Sequence, residues 1–169
     1  GKLYSVLPES GAGDFDVVRG SGATRVNKDG LIEDVRILSG NIVTNGDFSN
    51  GSTGWNLGTN WTISEGKAVA DGSSQGVITQ TLAAPIIGKQ YLLSYEISDY
   101  LSGNIRVFYG GVFTAFVSSN GVHSQKITAT STAALFQTSM AAAFNGSIDN
   151  ISVKEVTEDT DIPRLDYTD

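Results

Sequence analysis

The chain has no cysteine, three prolines, one histidine and no long apolar run, and each scarcity closes a class of readings. Without cysteine there is neither a disulfide nor a thiolate metal centre, so the core must hold the fold without covalent staples. His123, the single histidine, has no clear acid near it in sequence, and no serine stands in a nucleophile-elbow setting, so catalytic triads find no support. No stretch approaches the ~20 apolar residues of a membrane-spanning helix, and the opening residues lack the charged, apolar and small-residue order of a secretory signal peptide. The net charge of −7 is also uneven: residues 40–157 hold seven acids and five bases, whereas residues 158–169 hold five acids and one base. The acidity is largely a tail property, and no basic face offers itself to the phosphates of a nucleic acid.

What the chain has instead is glycine, 20 in 169 residues, with abundant Ser, Thr and Asn. This composition describes short strands joined by tight turns, an all-β fold. From Asn41 onward, short alternating runs are separated by Asn45-Gly46, Asn50-Gly51, Asp71-Gly72, Asn120-Gly121 and Asn145-Gly146, pairs that tolerate the positive φ of tight turns. Strands are predicted at Ile42 to Thr44, Trp61 to Ser64, Lys67 to Ala70, Gly76 to Leu82, Gln90 to Ser98, Ile105 to Tyr109, Val112 to Val117, Ser124 to Thr130, Ala134 to Thr138 and Ser147 to Val156. The clearest alternation puts Tyr91, Leu93, Tyr95 and Ile97 on one face and Leu92, Ser94, Glu96 and Ser98 on the other. Likewise Ile105, Val107 and Tyr109 oppose Arg106 and Phe108. Ala133 to Phe144 is Ala-rich, but between two strands it reads as strand and loop. The expected architecture is an antiparallel β-sandwich of jelly-roll type at 39–157, with an extended assembly segment at 1–38 and a short acidic linker at 158–169. The N-terminal segment is too short for its own core, so it is expected to pack on the sandwich or on other copies of the chain. Leu3 to Leu7 reads there as an edge strand, and Asp29-Gly30 as a turn between short extended pieces.

Two strings bracket the sandwich, NGDFSNGSTGW from Asn45 to Trp55 and SIDNISVKEV from Ser147 to Val156. With the Lys89 to Tyr95 strand, they make residues 40–156 resemble the galactose-binding-like jelly rolls of carbohydrate-binding module families 4 and 9. The resemblance implies a scaffold more than a ligand. It also implies a structural calcium ion held by Asp149 at the start of the closing strand and by Asp47, with Ser49 standing where such modules often carry Glu. A second resemblance lies outside the sandwich. RGSGATRVNKDGLIEDV, from Arg19 to Val35, and IPRLDYTD, from Ile162 to Asp169, look like two halves of a signature found in bacteriophage tail, fibre and other virion-surface proteins, here with a jelly roll inserted between them. That likeness implies a virion-surface, extracellular location, other virion proteins as partners, homotrimeric assembly and host attachment.

Aromatic rings in sugar-binding sandwiches lie against pyranose faces while nearby polar groups fix the hydroxyls. Trp55, Tyr91 and Tyr95 fall where the fold needs core. Trp61, Phe108 and Tyr109 are the ring candidates for a glycan, with Glu96 and Arg106 as polar flanks from what read as neighbouring strands; solvated faces or an ion pair are the alternative for these two charges. The expected function is a non-enzymatic virion-surface domain that binds host or environmental glycans. The alternatives are an accessory carbohydrate-binding module of a secreted polysaccharide-degrading enzyme, or a structural spacer without a ligand.

Overall fold

The computed structural model describes residues 24–26, 32–34 and 36–158 of the chain. Two units are distinguished, Gly1–Ile37 with Thr157–Asp169, and Leu38–Val156. In the first, β1 (Thr24–Val26) and β2 (Ile32–Asp34) pair antiparallel, with Arg25 opposite Glu33. The expected strand at Leu3 to Leu7, the turn at Asp29-Gly30 and the string from Ile162 to Asp169 lie outside the described residues.

The chain continues through β3 (Arg36–Leu38), β4 (Asn56–Leu57), β5 (Trp61–Ser64), β6 (Lys67–Asp71), β7 (Ile78–Thr81), β8 (Gln90–Ser102), β9 (Arg106–Tyr109), β10 (Val112–Phe113), β11 (Gly121–Thr128), β12 (Leu135–Ser139) and β13 (Asn145–Glu158). Two antiparallel sheets result, one ordered β10-β9-β12-β7-β4 and the other β11-β8-β13-β6-β5, with β3 pairing to β13. Among the described residues there is no helix, and none therefore is long and apolar enough to cross a membrane. From β4 onward the chain changes sheet at every connection except the hairpins β5-β6 and β9-β10. Strands adjacent in sequence thus lie mostly in different layers, and their inward side chains meet in one core.

The period-two reading of β8 holds: Tyr91, Leu93, Tyr95 and Ile97 are buried, as are Ile105, Val107 and Tyr109 around β9. Tyr91 and Tyr109 meet edge to face across the two layers at 5.3 Å, an arrangement the ring quadrupoles favour. Trp55 is also core, wedged between Phe48 and Phe136 at 5.2 and 5.7 Å. Burying each such side chain is worth about 1.5–3 kcal/mol.

Four local expectations change. Ile42 to Thr44 forms no strand, because Asn41 and Gln80 side chains take the places of ladder partners: Asn41 Oδ1 accepts from Val153 N at 3.0 Å, and Gln80 bonds both Thr44 N and Thr44 O at 2.9 Å. Val112 to Val117 shortens to β10, since Thr114 Oγ1 accepts the Val107 N–H that a ladder carbonyl would have taken. Asn145-Gly146 is no turn but the start of β13, opposite Asp71 and Ala70. Conversely, the two-residue hairpins fall at Glu65-Gly66 and Gly110-Gly111, whose positive φ angles of 52°, 73°, 60° and 85° suit the mirror-image turns that match strand twist. The Ala-rich stretch is strand and loop, as read from sequence.

Candidate functional site

The two bracketing strings meet in space, and the backbone explains both. Asn45 has a left-handed φ of 49°, and its side chain organises the following loop. Its Nδ2 donates to Gly51 O and Thr53 O, its Oδ1 accepts from Asn50 N, and its own carbonyl accepts from Trp55 Nε1. In β13 the register slips between Asp149 and Ser152, a bulge in which Asn150 takes a φ of 52°. The bulge frees the Ile151 N–H to bond Gly46 O at 2.9 Å, docking the opening string on the closing strand. A polar cleft of about 410 Å³ lies here, lined among others by Asn41, Asn45, Asp47, Asn150, Ser152 and Lys154.

Asp47 is brought near enough for its charge to act on Asp149. Burial pushes the Asp149 carboxyl up from its ordinary value of 3.8; the Asn150 N–H opposes that shift, and the charges of Glu96 and Asp47 add to it. Each carboxylate is already engaged locally, Asp47 Oδ1 by Ser49 N and Oγ at 3.3 and 2.9 Å, Asp149 Oδ1 by Asn150 N at 2.7 Å. No group of three His, Asp or Glu side chains able to hold a metal ion occurs among the described residues, against the six to eight oxygens calcium takes. A calcium ion here would draw most of its donors from main-chain carbonyls.

The raised value sets a pH test. A carboxyl favoured in its protonated form by the fold costs stability as pH rises through the unfolded value, and the cost is complete above the folded one. In chelated buffer, Asp149→Asn keeps an acceptor for Asn150 N, so it is expected to raise the thermal midpoint at pH 7 and to leave it unchanged below about pH 3.5. A lower midpoint at pH 7 would show that the charge has a favourable partner.

A second constellation lies on the outer face of the five-stranded sheet. Directly opposed residues share a face, and the register runs Phe113, Phe108, Gln137, Thr79, Asn56 straight across five strands. Arg106, opposite Ser139, stands two residues from Phe108 on the same face. The Gly110-Gly111 hairpin folds Phe113 onto Phe108, with ring centroids 4.8 Å apart. Phe113 and Phe116 lie against the Arg106 guanidinium, with Cζ 4.0 and 4.4 Å from the ring centroids, and both rings remain 40% exposed. Apolar ring surface, a cation and a row of amide and hydroxyl groups are the chemical parts a sugar needs.

Of the residues singled out from sequence, Arg106 and Phe108 fall in this row. Trp61 and Tyr109 do not: they are 4% and 0% exposed, with Trp61 Nε1 donating to Gly76 O and Tyr109 Oη to Ala83 O, so neither presents a ring to a ligand. Glu96 lies on β8, in the other sheet, where it accepts from Asn150 Nδ2 at 3.0 Å. It neither flanks a ligand with Arg106 nor pairs with it. Phe113, Phe116, Gln137 and Thr79 were missed as site residues, although the Gly-Gly doublet between two alternating runs was the available signal for the first.

No protein-family description matches the sequence, and no curated protein resembles it. Solved structures with a similar course of chain include the enzymatically active domain of tailspike protein 4 of bacteriophage CBA120, at 14% identity and a TM-score of 0.48. That match covers 68% of this chain and spans 21% of the tailspike chain. Others are a mutant of the family 29 carbohydrate-binding module CBM29-2, at 10% identity over 75% of this chain and 91% of the module, TM-score 0.38, and the ligand-free CBM1 module of BiXyn10A, at 14% identity over 85% and 96%, TM-score 0.37.

Proposed function

We propose that the sandwich at Leu38–Val156 is a non-enzymatic glycan-binding module carried on a phage virion surface, and that it binds through the outer face of the five-stranded sheet. The observation that carries the binding reading is the row from Phe113 to Asn56, where exposed aromatic surface adjoins Gln137 and Thr79 at the spacing of a sheet. Rings supply apolar area at low conformational cost, and amides and hydroxyls fix orientation. The virion setting is supported by the strings at Arg19 to Val35 and Ile162 to Asp169, and residues 1–38 are the proposed contact with other virion proteins or further copies of the chain.

A panel of immobilised glycans followed by titration calorimetry tests the reading. The wild-type chain is expected to bind at least one class, and Phe108→Ala with Phe113→Ala to weaken that binding roughly 10-fold or more, since stacked rings contribute on the order of 0.5–1.5 kcal/mol each. Unchanged affinity in a variant that melts like the wild type sinks this face as the site. The burial of Trp61 and Tyr109 favours one second reading, a spacer with no ligand, and silence across the panel decides for it.

A further inference from the structure

We infer that the ligand of this face is an anionic glycan, a polysaccharide whose sugar carboxylates, of the uronic acid kind, pair with Arg106; this rests on the reading of the sheet face as the glycan site. The five strands of that sheet contain no Asp or Glu, and Arg106 is their one base. Elsewhere on the sandwich, cations near acids pair with them: Lys67 with Asp99 at 3.4 Å and Lys89 with Glu155 at 2.9 Å. Arg106 has no carboxylate within reach among the described residues, and its buried Nε has no hydrogen-bond partner. In a chain of net charge −7, acids are plentiful, yet none is placed here.

The surroundings of the guanidinium point the same way. Phe113 and Phe116 strip water from its faces and hold it, at 4.0 and 4.4 Å from Cζ. A guanidinium with rings on its faces bonds through its in-plane donors, whose fork matches the two oxygens of a carboxylate. Phe113 is shared, since it also lies 4.8 Å from Phe108, so cation and stacking surface adjoin. A sugar seated on Phe108 would set an exocyclic carboxylate beside Arg106, whereas a neutral sugar would leave the charge unanswered.

The test titrates the full chain with an oligogalacturonate and with the same oligomer after reduction of its carboxyls to alcohols. Wild type is expected to bind the acid form roughly 10-fold or more tighter, and to lose that preference in about 0.5 M salt. Arg106→Gln is expected to weaken the acid form roughly 10-fold more than the reduced one, so that the preference is lost, and Arg106→Lys to keep part of the preference. Equal binding of both oligomers by the wild type overturns the inference and leaves the glycan reading standing. Equal loss for both oligomers in Arg106→Gln overturns it too, and makes Arg106 a support for the rings. Binding of neither oligomer, nor of any glycan on the panel, removes both.

Discussion

Gly46→Ala is expected to cost about 3–4 kcal/mol, a large part of the ~5–15 kcal/mol that holds a domain of this size together. A Cβ at this position would stand 2.1 Å from Ile151 O and 3.2 Å from Val43 Cγ1. The opposing group is main chain in the bulge of β13, fixed at either end where Asp149 and Ser152 pair with β8, so it has little room to give. The methyl would therefore push the opening string off the closing strand and stretch the Ile151 N–H to Gly46 O bond, itself worth about 1 kcal/mol. Gly51→Ala supplies the contrast: its φ is +58° but nothing lies within 4 Å, so it is expected to cost only the left-handed penalty of about 1 kcal/mol. Urea unfolding of the two variants beside the wild type reads the difference. Equal costs would show that close approach to Ile151 is not what demands glycine at position 46.

The same contact explains why the bracketing strings are legible as a unit, the second being strand β13 as expected, while Ile42 to Thr44, which leads into the first, is not the strand its sequence suggests. A period-two run such as Tyr91 to Ile97 has its hydrogen bonds made by the neighbouring backbone, so alternation alone reports it. The segment from Asn41 to Gly46 has its bonds made by side chains, from Asn41 and Gln80, and by main-chain groups of β13 more than a hundred residues away, Val153 O accepting from Ile42 N and the Ile151 N–H donating to Gly46 O. No local pattern encodes those partners. Asn-Gly was correctly read as positive φ at Asn45, yet at Asn145 the same pair sits in a ladder, because Asp71 and Ala70 are there to pair with it.

The candidate site was half visible for a related reason. The alternation that turns Arg106 and Phe108 outward necessarily turns Tyr109 inward with Ile105 and Val107, so Tyr109 was marked as core by the pattern itself. Trp61 carried no such mark, since a four-residue strand gives too few positions to fix its faces. The pairing of Glu96 with Arg106 failed on topology: ten residues apart in sequence, they belong to strands in opposite sheets. Which strands neighbour which is decided by long-range burial, and it is this that gathered Gln137 and Thr79 beside Phe108.

Gln80→Glu is expected to destabilise the sandwich by about 3 kcal/mol at pH 7 and by much less near pH 4. Gln80 is 2% exposed, and its amide imitates a strand: Oε1 accepts from Thr44 N and Nε2 donates to Thr44 O, each at 2.9 Å. A glutamate has the same shape, but when ionised it offers Thr44 O a second oxygen instead of a donor, in a site that water does not reach. Its folded pKa is thus raised above the unfolded value of about 4.3, so the loss sets in as pH rises through 4.3 and grows until the folded value is passed. Below that window the neutral acid donates from its hydroxyl, and both bonds to Thr44 are restored. Gln80→Met removes both bonds without adding charge, and its cost of about 1–3 kcal/mol is expected to be the same at both pH values. Denaturant curves at pH 4 and pH 7, each taken as a difference from the wild type at that pH, separate the two variants. A Gln80→Glu difference that does not move with pH would mean that the carboxylate escapes to solvent, and that Thr44, with the Asn45-Gly46 turn behind it, is held to the five-stranded sheet by something other than this one amide.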